Sequence, residues 1–129
     1  MNIGDIPVQS LEAVKKQDRE TWLGLFAEDA VVEDPVGPND WAPDGKGQQG
    51  RAAIGQFYDL FSSFQEKFDY EVHHKVVRGD EVAVFVTMHV HLKSGEHLPV
   101  RAINIYRITD SGKIRSLRSF WNAEDGPAA

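Results

Sequence analysis

The spacing of apolar residues changes along the chain from a helical repeat in the first half to a two-residue repeat in the second. Apolar side chains recur every three or four positions in three segments, as they do along one face of a helix. This spacing predicts a helix that begins near Pro7, a second helix capped by Asp18, and a third over residues 51–67. The apolar positions of the three helices are Val8, Leu11 and Val14; Trp22, Leu25 and Phe26; and Ile54, Phe57, Tyr58, Phe61, Phe64 and Phe68.

A short apolar strand that ends at Asp34 separates the second and third predicted helices. The polar stretch 37–47 that follows is rich in glycine, proline, asparagine and aspartate, which predicts a loop, and Trp41 is its one large apolar residue. Beyond Phe68, apolar and polar residues alternate and predict four strands, at 70–77, 82–91, 98–108 and 114–122.

The order of these elements predicts the fold class. Short turns between neighbouring strands favour an antiparallel sheet. Helices followed by strands indicate an α+β fold, with three N-terminal helices packed on one face of a curled antiparallel sheet. Such an arrangement leaves a deep and mostly apolar cavity between the helices and the sheet.

Bulk composition fits one globular domain over residues 1–129, with 41% apolar and 26% charged residues. The sequence has no run of about 18 apolar residues, so it predicts no membrane span. The first ten residues do not resemble a secretory signal. The sequence contains no cysteine, which excludes disulfides and thiol catalysis and favours a cytoplasmic location. A net charge of −6 argues against nucleic acid and anionic membrane surfaces as partners.

Asp34 is the first candidate for chemistry. Strand side chains alternate, so Ala30, Val32 and Asp34 are predicted to share one face. If that face points into the protein, the carboxylate lies in apolar surroundings, where it becomes a stronger base and can take a proton from carbon beside a carbonyl. The alternative is that Asp34-Pro35 only opens a turn, a common role for this dipeptide.

Three stretches of the chain resemble the ketosteroid isomerase-like proteins. Residues 22–37, WLGLFAEDAVVEDPVG, are similar to the family's opening motif, and residues 50–58, GRAAIGQFY, are similar to a helix of the same family. Residues 105–121 resemble its last two strands. The family is part of the nuclear-transport-factor-2-like (NTF2-like) superfamily, which also holds the SnoaL-type polyketide cyclases.

This resemblance implies a cone-shaped α+β barrel, usually dimeric, and it implies that Asp34 is the general base. In the family, a tyrosine and a protonated aspartate bind the oxygen of the enolate that forms. The chain differs at both positions, because the helix position of the tyrosine is Ser10 and the strand position of the aspartate is Asn104. A homodimer is therefore expected, and the oxyanion groups are expected to differ.

Asn104 is a second candidate. It shares its predicted strand face with Leu98, Val100, Ala102 and Tyr106, whereas the opposite face carries Arg101 and Arg107. A lone amide on an apolar face either donates a hydrogen bond to a developing enolate oxygen or serves a structural role beside the Tyr106 hydroxyl. Tyr58 is the nearest candidate for a compensating donor, with core packing as its alternative role.

Several large apolar residues are candidates for binding the substrate. Phe57, Phe61, Met88 and Trp121, together with Tyr58, are predicted to form the apolar wall that a fused-ring ligand needs. For each of them, the alternative is a place in the ordinary core.

His89 and His91 lie on one strand face and are followed by Glu96, a spacing that is compatible with metal binding. Against this, they oppose the apolar Met88 face, and no second metal motif follows them. Exposed or dimer-interface histidines are the favoured interpretation, so no metal site is assigned.

Together these features favour an isomerase that moves a double bond in a hydrophobic 3-ketosteroid. Asp34 would remove and return the proton, and Asn104 would bind the enolate oxygen, with a tyrosine hydroxyl as a possible second donor. No cofactor is required because the carbonyl accepts the electrons. Two alternatives stay open: a SnoaL-like polyketide cyclase, and a non-catalytic binding protein for a steroid-like ligand.

Overall fold

The computed structural model describes residues 2–127 and contains three α-helices and six strands. The helices are α1 (Ile6–Lys15), α2 (Arg19–Gly24) and α3 (Arg51–Phe64). The strands are β1 (Phe26–Glu33), β2 (Gln48–Gln49), β3 (Gln65–Arg78), β4 (Glu81–Leu92), β5 (His97–Ile108) and β6 (Ile114–Phe120). The predicted α+β class, with helices packed on a curled sheet, is confirmed. Within the described range, no helix has the length and apolar character needed to cross a bilayer.

The six strands form one sheet in the order β2-β1-β6-β5-β4-β3. The three pairs β3–β4, β4–β5 and β5–β6 are antiparallel, as their short connecting turns predict. Strand β1, however, runs parallel to β6, so the sheet is mixed. A short turn enforces antiparallel pairing only between consecutive strands, and β1 and β6 are separated by most of the chain.

The second helix is shorter than its apolar spacing predicts. Asp18 caps it as expected, because its side chain accepts a hydrogen bond from the Thr21 backbone N–H. The helix nevertheless ends at Gly24, so Leu25 and Phe26 do not belong to its apolar face. Phe26 is fully buried as the first residue of β1, where it pairs with Ile114. Sheet pairing therefore overrides the helical pattern at this boundary.

The third helix also ends before its predicted limit. It stops at Phe64, and β3 begins at Gln65, which pairs with Leu92 of β4. Phe68 is buried from the strand rather than from the helix. The apolar spacing does not locate the boundary between α3 and β3, because Phe68 would be buried whether it belonged to the helix or to the strand.

The concave face of the sheet and the helices enclose the core. Alternate residues of β4 and β5 are buried against the helices, whereas the opposite residues are mostly exposed on β5 and mostly half-buried on β4. The main core residues from the sheet are Val82, Val84, Val86, Val90, Val100, Ala102, Tyr106 and Ile108, and those from the helices are Ile6, Leu11, Trp22, Ile54 and Phe57. At one end of this core the sheet and helices diverge around a cavity.

Candidate active site

The cavity lies between the helices and the concave face of the sheet, and the space open to the centres of water-sized molecules inside it is about 110 Å³. This space holds several water molecules, and most of the residues that line it are apolar. The cavity brings together every residue that the sequence predicted for the site. Asp34, Asn104, Tyr58, Phe57, Phe61, Met88 and Trp121 all line it.

Asp34 follows the last residue of β1 and faces this cavity. Ala30 and Val32, which precede it on the same face, are 0% and 1% exposed, so the alternation along β1 directs Asp34 inward. The backbone N–H of Val36 donates to the Ser119 carbonyl oxygen, which holds the chain beyond Asp34 against β6. The Asp34-Pro35 peptide bond is cis.

One strong hydrogen bond orients the Asp34 carboxylate. The Trp121 indole N–H donates to Asp34 Oδ1 at 2.6 Å. Burial raises the pKa of the Asp34 carboxyl above its ordinary value, and the hydrogen bond from the Trp121 N–H counters this effect only in part. A carboxylate with a raised pKa is a better proton acceptor, which suits it to general-base chemistry.

Asn104 lies on the inner face of β5, as predicted, and is 2% exposed. Its amide oxygen accepts a hydrogen bond of 2.5 Å from the Ser119 hydroxyl. That hydroxyl also lies near Asp34, but its single hydrogen serves one acceptor, and the short distance assigns it to Asn104. With the oxygen occupied, the amide nitrogen is left to donate, and it reaches the Tyr106 hydroxyl oxygen at 3.4 Å.

Tyr106 contributes a phenolic hydroxyl to the site. The sequence placed Tyr106 on the same strand face as Asn104 but assigned no catalytic role to it. The side chain is 1% exposed, and both Tyr106 and Ser10 line the cavity. Burial, reinforced by the charge of Asp34, raises the pKa of Tyr106 well above its ordinary value, against the lowering effect of hydrogen bonds from Asn104 and Ser10. The phenol therefore stays protonated at all physiological pH values and keeps a hydrogen to donate.

Tyr58 occupies a different part of the cavity. Its ring packs against Trp22 with a centroid distance of 5.2 Å, and its half-buried side chain lies on α3. In the described residues, the hydroxyl that contacts Asn104 is that of Tyr106, not that of Tyr58.

The apolar wall is built mainly from aromatic rings. Phe57 and Phe61 pack edge to face on α3, with centroids 4.7 Å apart. Trp41, from the polar loop, packs against both Phe61 and Trp121, with centroid distances of 5.4 and 6.3 Å. Trp41 therefore packs against two aromatic residues of the cavity wall without lining the cavity itself.

The histidines of β4 lie on the opposite face of the sheet from the cavity. His89 Nε2 is 2.9 Å from Glu71 Oε1, and His89 Nδ1 is 2.9 Å from His97 Nε2. The His91 ring stacks on that of His97. Within residues 2–127, no cluster of three or more histidine, aspartate or glutamate side chains has a geometry that could hold a metal ion.

Comparison with known proteins adds family and fold relationships to this geometry. A family model described as a SnoaL-like domain matches residues 8–117. No functionally curated protein matches the sequence significantly.

Three solved structures are similar along nearly the whole chain. The Δ5-3-ketosteroid isomerase of Mycobacterium sp. is 32% identical, with 95% of each chain covered and a TM-score of 0.87. RV0760c of Mycobacterium tuberculosis, in complex with estradiol-17β-hemisuccinate, is 30% identical, with 96% of this chain and 97% of that chain covered and a TM-score of 0.86. A computationally designed 17-OHP binder is 28% identical, with 96% of each chain covered and a TM-score of 0.88.

Proposed function

Because this chain belongs to the SnoaL-like domain family, within the NTF2-like superfamily, we propose that it is a cofactor-independent isomerase of hydrophobic ketones that uses Asp34 as its base. The observation that carries the proposal is the position of the Asp34 carboxylate. It faces an apolar cavity, accepts the Trp121 indole N–H, and has a pKa raised by burial. The similarity to a Δ5-3-ketosteroid isomerase supports a 3-ketosteroid as the substrate.

The reaction begins with proton removal. Asp34 takes a proton from the carbon between the ketone and the double bond, and the C–H electrons move into the carbonyl, which gives a dienolate. Trp121, which donates to Oδ1, keeps the carboxylate oriented during this step. The second carboxylate oxygen, Oδ2, is left to act as the proton acceptor.

Two neutral donors stabilise the negative oxygen of the dienolate. The Asn104 amide N–H group and the Tyr106 hydroxyl meet at one place on the inner face of β5, and both line the cavity. Fixed donors of this kind stabilise an oxyanion strongly in a site that excludes water. Tyr106 thereby supplies a phenolic hydroxyl, which the chain lacks at position 10, where the residue is Ser10.

Proton return completes the isomerisation. The protonated Asp34 delivers the same proton to the carbon two positions away, and the double bond moves into conjugation with the ketone. Phe57, Phe61 and Met88 hold the apolar body of the substrate so that both carbons stay within reach of Asp34. The carbonyl of the substrate accepts and returns the electrons, so the proposed mechanism needs no cofactor.

A second candidate function is a binding protein for steroid-like ligands. Asn104 is a weaker donor than a protonated carboxyl, and Ser10 stands where the family resemblance implies a tyrosine. Two similar structures are an estradiol-derivative complex and a designed 17-OHP binder, which supports binding without chemistry.

A SnoaL-like cyclase that acts on a polyketide is the third candidate, supported by the family model.

One experiment separates these functions. The protein is mixed with a Δ5-3-ketosteroid, the absorbance of the conjugated enone is followed, and binding is measured in parallel by calorimetry. Turnover that Asp34→Asn abolishes while binding persists supports the isomerase. Tight binding without turnover supports the binding protein, and the absence of both leaves the cyclase or a function outside these three.

A further inference from the structure

The segment that follows β6 lies against the candidate site. It contains a short 3-10 turn at Ala123–Asp125, which the backbone N–H of Gly126 extends by donating to the Ala123 carbonyl oxygen at 3.2 Å. Residues 123–125 are exposed, but Pro127 is buried and lines the cavity. The segment 122–127 therefore returns to the cavity after leaving the sheet.

Gly126 makes the closest approach in this segment. A Cβ atom at this position would lie 2.2 Å from Trp121 Cζ3 and 2.8 Å from Trp121 Cη2. Cβ atoms essentially never lie within 3.0 Å of a non-bonded heavy atom. Any side chain at position 126 would therefore displace either the indole or the segment. The φ angle of −106° suits every residue, so the requirement for glycine comes from space and not from backbone conformation.

The same indole carries the hydrogen bond to the base. Gly126 contacts the six-membered ring of Trp121, and the five-membered ring of Trp121 donates its N–H to Asp34 at 2.6 Å. The indole is rigid and planar, so pressure on one edge moves the other edge. Trp41 packs against the same side chain, which restricts the directions in which the ring can move.

We propose that Gly126 is a positioning residue for Asp34. Its lack of a side chain lets the segment 122–127 clamp the Trp121 indole in the one orientation that places Nε1 on the carboxylate. This inference rests on the proposed role of Asp34 as the base, and it adds a residue outside the family motif to the control of that base.

The test compares Gly126→Ala with Gly24→Ala. Gly24 is the matched control, because a Cβ atom there meets nothing within 4 Å. The first readout is the titration of the Asp34 carboxyl carbon by NMR, with Asp34→Asn used to assign the signal. Loss of the indole hydrogen bond removes a favourable contact to the charged form, so the Asp34 titration in Gly126→Ala is expected to shift upward by about one pH unit.

Two further variants connect the shift to the indole. Trp121→Phe is expected to give an upward shift of similar size, because phenylalanine has no N–H to donate. The double variant Trp121→Phe/Gly126→Ala is expected to titrate like Trp121→Phe alone, since the two changes act through one contact. In the isomerase assay, the acidic limb of kcat/KM is expected to move upward in parallel with the NMR titration.

An unchanged Asp34 titration in folded Gly126→Ala would overturn the proposal, because the segment would then have moved away without disturbing the indole. If Gly126→Ala does not fold, the double variant decides, since the smaller phenyl ring removes the atoms that the methyl group would strike. Failure of the double variant to fold would also reject the proposal. The NMR readout needs no turnover, so a protein without isomerase activity would refute the proposed function and leave this test intact.

Discussion

The Ser119 hydroxyl donates a 2.5 Å hydrogen bond to the Asn104 amide oxygen, and this bond turns the amide nitrogen toward Tyr106. Both side chains are buried, at 1% and 2% exposed, so water does not replace the bond if it is removed. Ser119 is thus the residue that decides which end of the amide is presented as a donor.

Ser119→Ala is therefore expected to lower kcat for Δ5-3-ketosteroid isomerisation with little change in KM. It is also expected to reduce the free energy of unfolding by about 1–3 kcal/mol, the usual cost of an unsatisfied buried polar group. Steady-state kinetics and urea denaturation measure the two effects, with Ser116→Ala on the same strand as the control. A wild-type kcat in Ser119→Ala would show that the amide orientation does not depend on this bond.

Asn104→Asp is expected to increase kcat, on the order of tenfold. The apolar site and the nearby charge of Asp34 favour the protonated form of a carboxyl at this position, and a protonated carboxyl is a stronger donor than an amide. Asn104→Leu, which donates nothing, is expected to lose about 10²–10³ in kcat. A decrease in Asn104→Asp at neutral pH would mean that the new carboxyl ionises and repels the dienolate.

Tyr106→Phe is expected to reduce kcat by about 10², the lower end of the usual loss for one oxyanion donor. Tyr58→Phe is expected to have a smaller effect, because the Tyr58 ring packs on Trp22 and its hydroxyl does not contact Asn104. Tyr70→Phe is the matched control, since the Tyr70 hydroxyl donates to Glu12 outside the cavity. A larger loss of kcat in Tyr58→Phe than in Tyr106→Phe would instead identify Tyr58 as the second donor to the dienolate oxygen.

The raised pKa of Asp34 has consequences for both activity and stability. Activity requires the ionised carboxylate, so kcat/KM is expected to fall as the pH drops through a pKa above the ordinary aspartate value. The folded protein binds this proton more tightly than the unfolded chain, so the contribution of Asp34 to stability is fully present below the unfolded pKa. It is lost as the pH rises through the folded pKa.

Asp34→Asn is consequently expected to raise Tm by a few degrees at pH 7, with a difference that shrinks toward about pH 4. Thermal denaturation at the two pH values measures this, and Asp29→Asn, at an exposed position of β1, is the control. A lower Tm for Asp34→Asn at pH 7 would contradict the raised pKa.

The outer face of the sheet carries an apolar stripe formed by Phe85, Ile103 and Phe120, which pair directly across β4, β5 and β6. Ile103 and Phe120 are 51% and 39% exposed, so two neighbouring strands present large apolar side chains to solvent on this face. We propose that a second copy of the chain covers this stripe. Ile103→Lys is then expected to give a monomer where the wild type is a dimer, as measured by light scattering, whereas Leu60→Lys, at an exposed position of α3, leaves the dimer intact. A monomeric wild-type protein would refute this assignment.

Much of the fold could be predicted from the chain, because periodicity reports directly on burial. The alternation of Ala30, Val32 and Asp34 predicted an inward carboxylate, and the pattern around Asn104 predicted its inner face; the cavity lining agrees with both. Element ends were less predictable, since Phe26 and Phe68 are buried in strands at positions that also fit a helical stripe. The resemblance of residues 22–37 to the family is confirmed by the family model over 8–117.

The hydrogen bonds of the site could not be predicted in the same way. Trp121 was predicted as part of the wall, and its bond to Asp34 depends on the parallel pairing of β1 with β6, which no local pattern encodes. Tyr106 was visible on the face of Asn104, but the contact between its hydroxyl and the Asn104 amide depends on side-chain orientations that alternation along a strand does not give. The approach of Gly126 to Trp121 depends on a segment with no periodicity at all.

The parallel pairing of β1 with β6 sets Glu33 beside Arg118, so the two strands deliver Asp34 and the Ser119–Trp121 stretch to the same place. The indole that hydrogen-bonds the acid therefore directly follows the final strand. Substituting that one side chain would change the proton affinity of Asp34 while Asp34 itself stays unchanged. The strength of the base is thereby set from outside the sequence motif that supplies it, at a position that packs on Trp41 and Gly126.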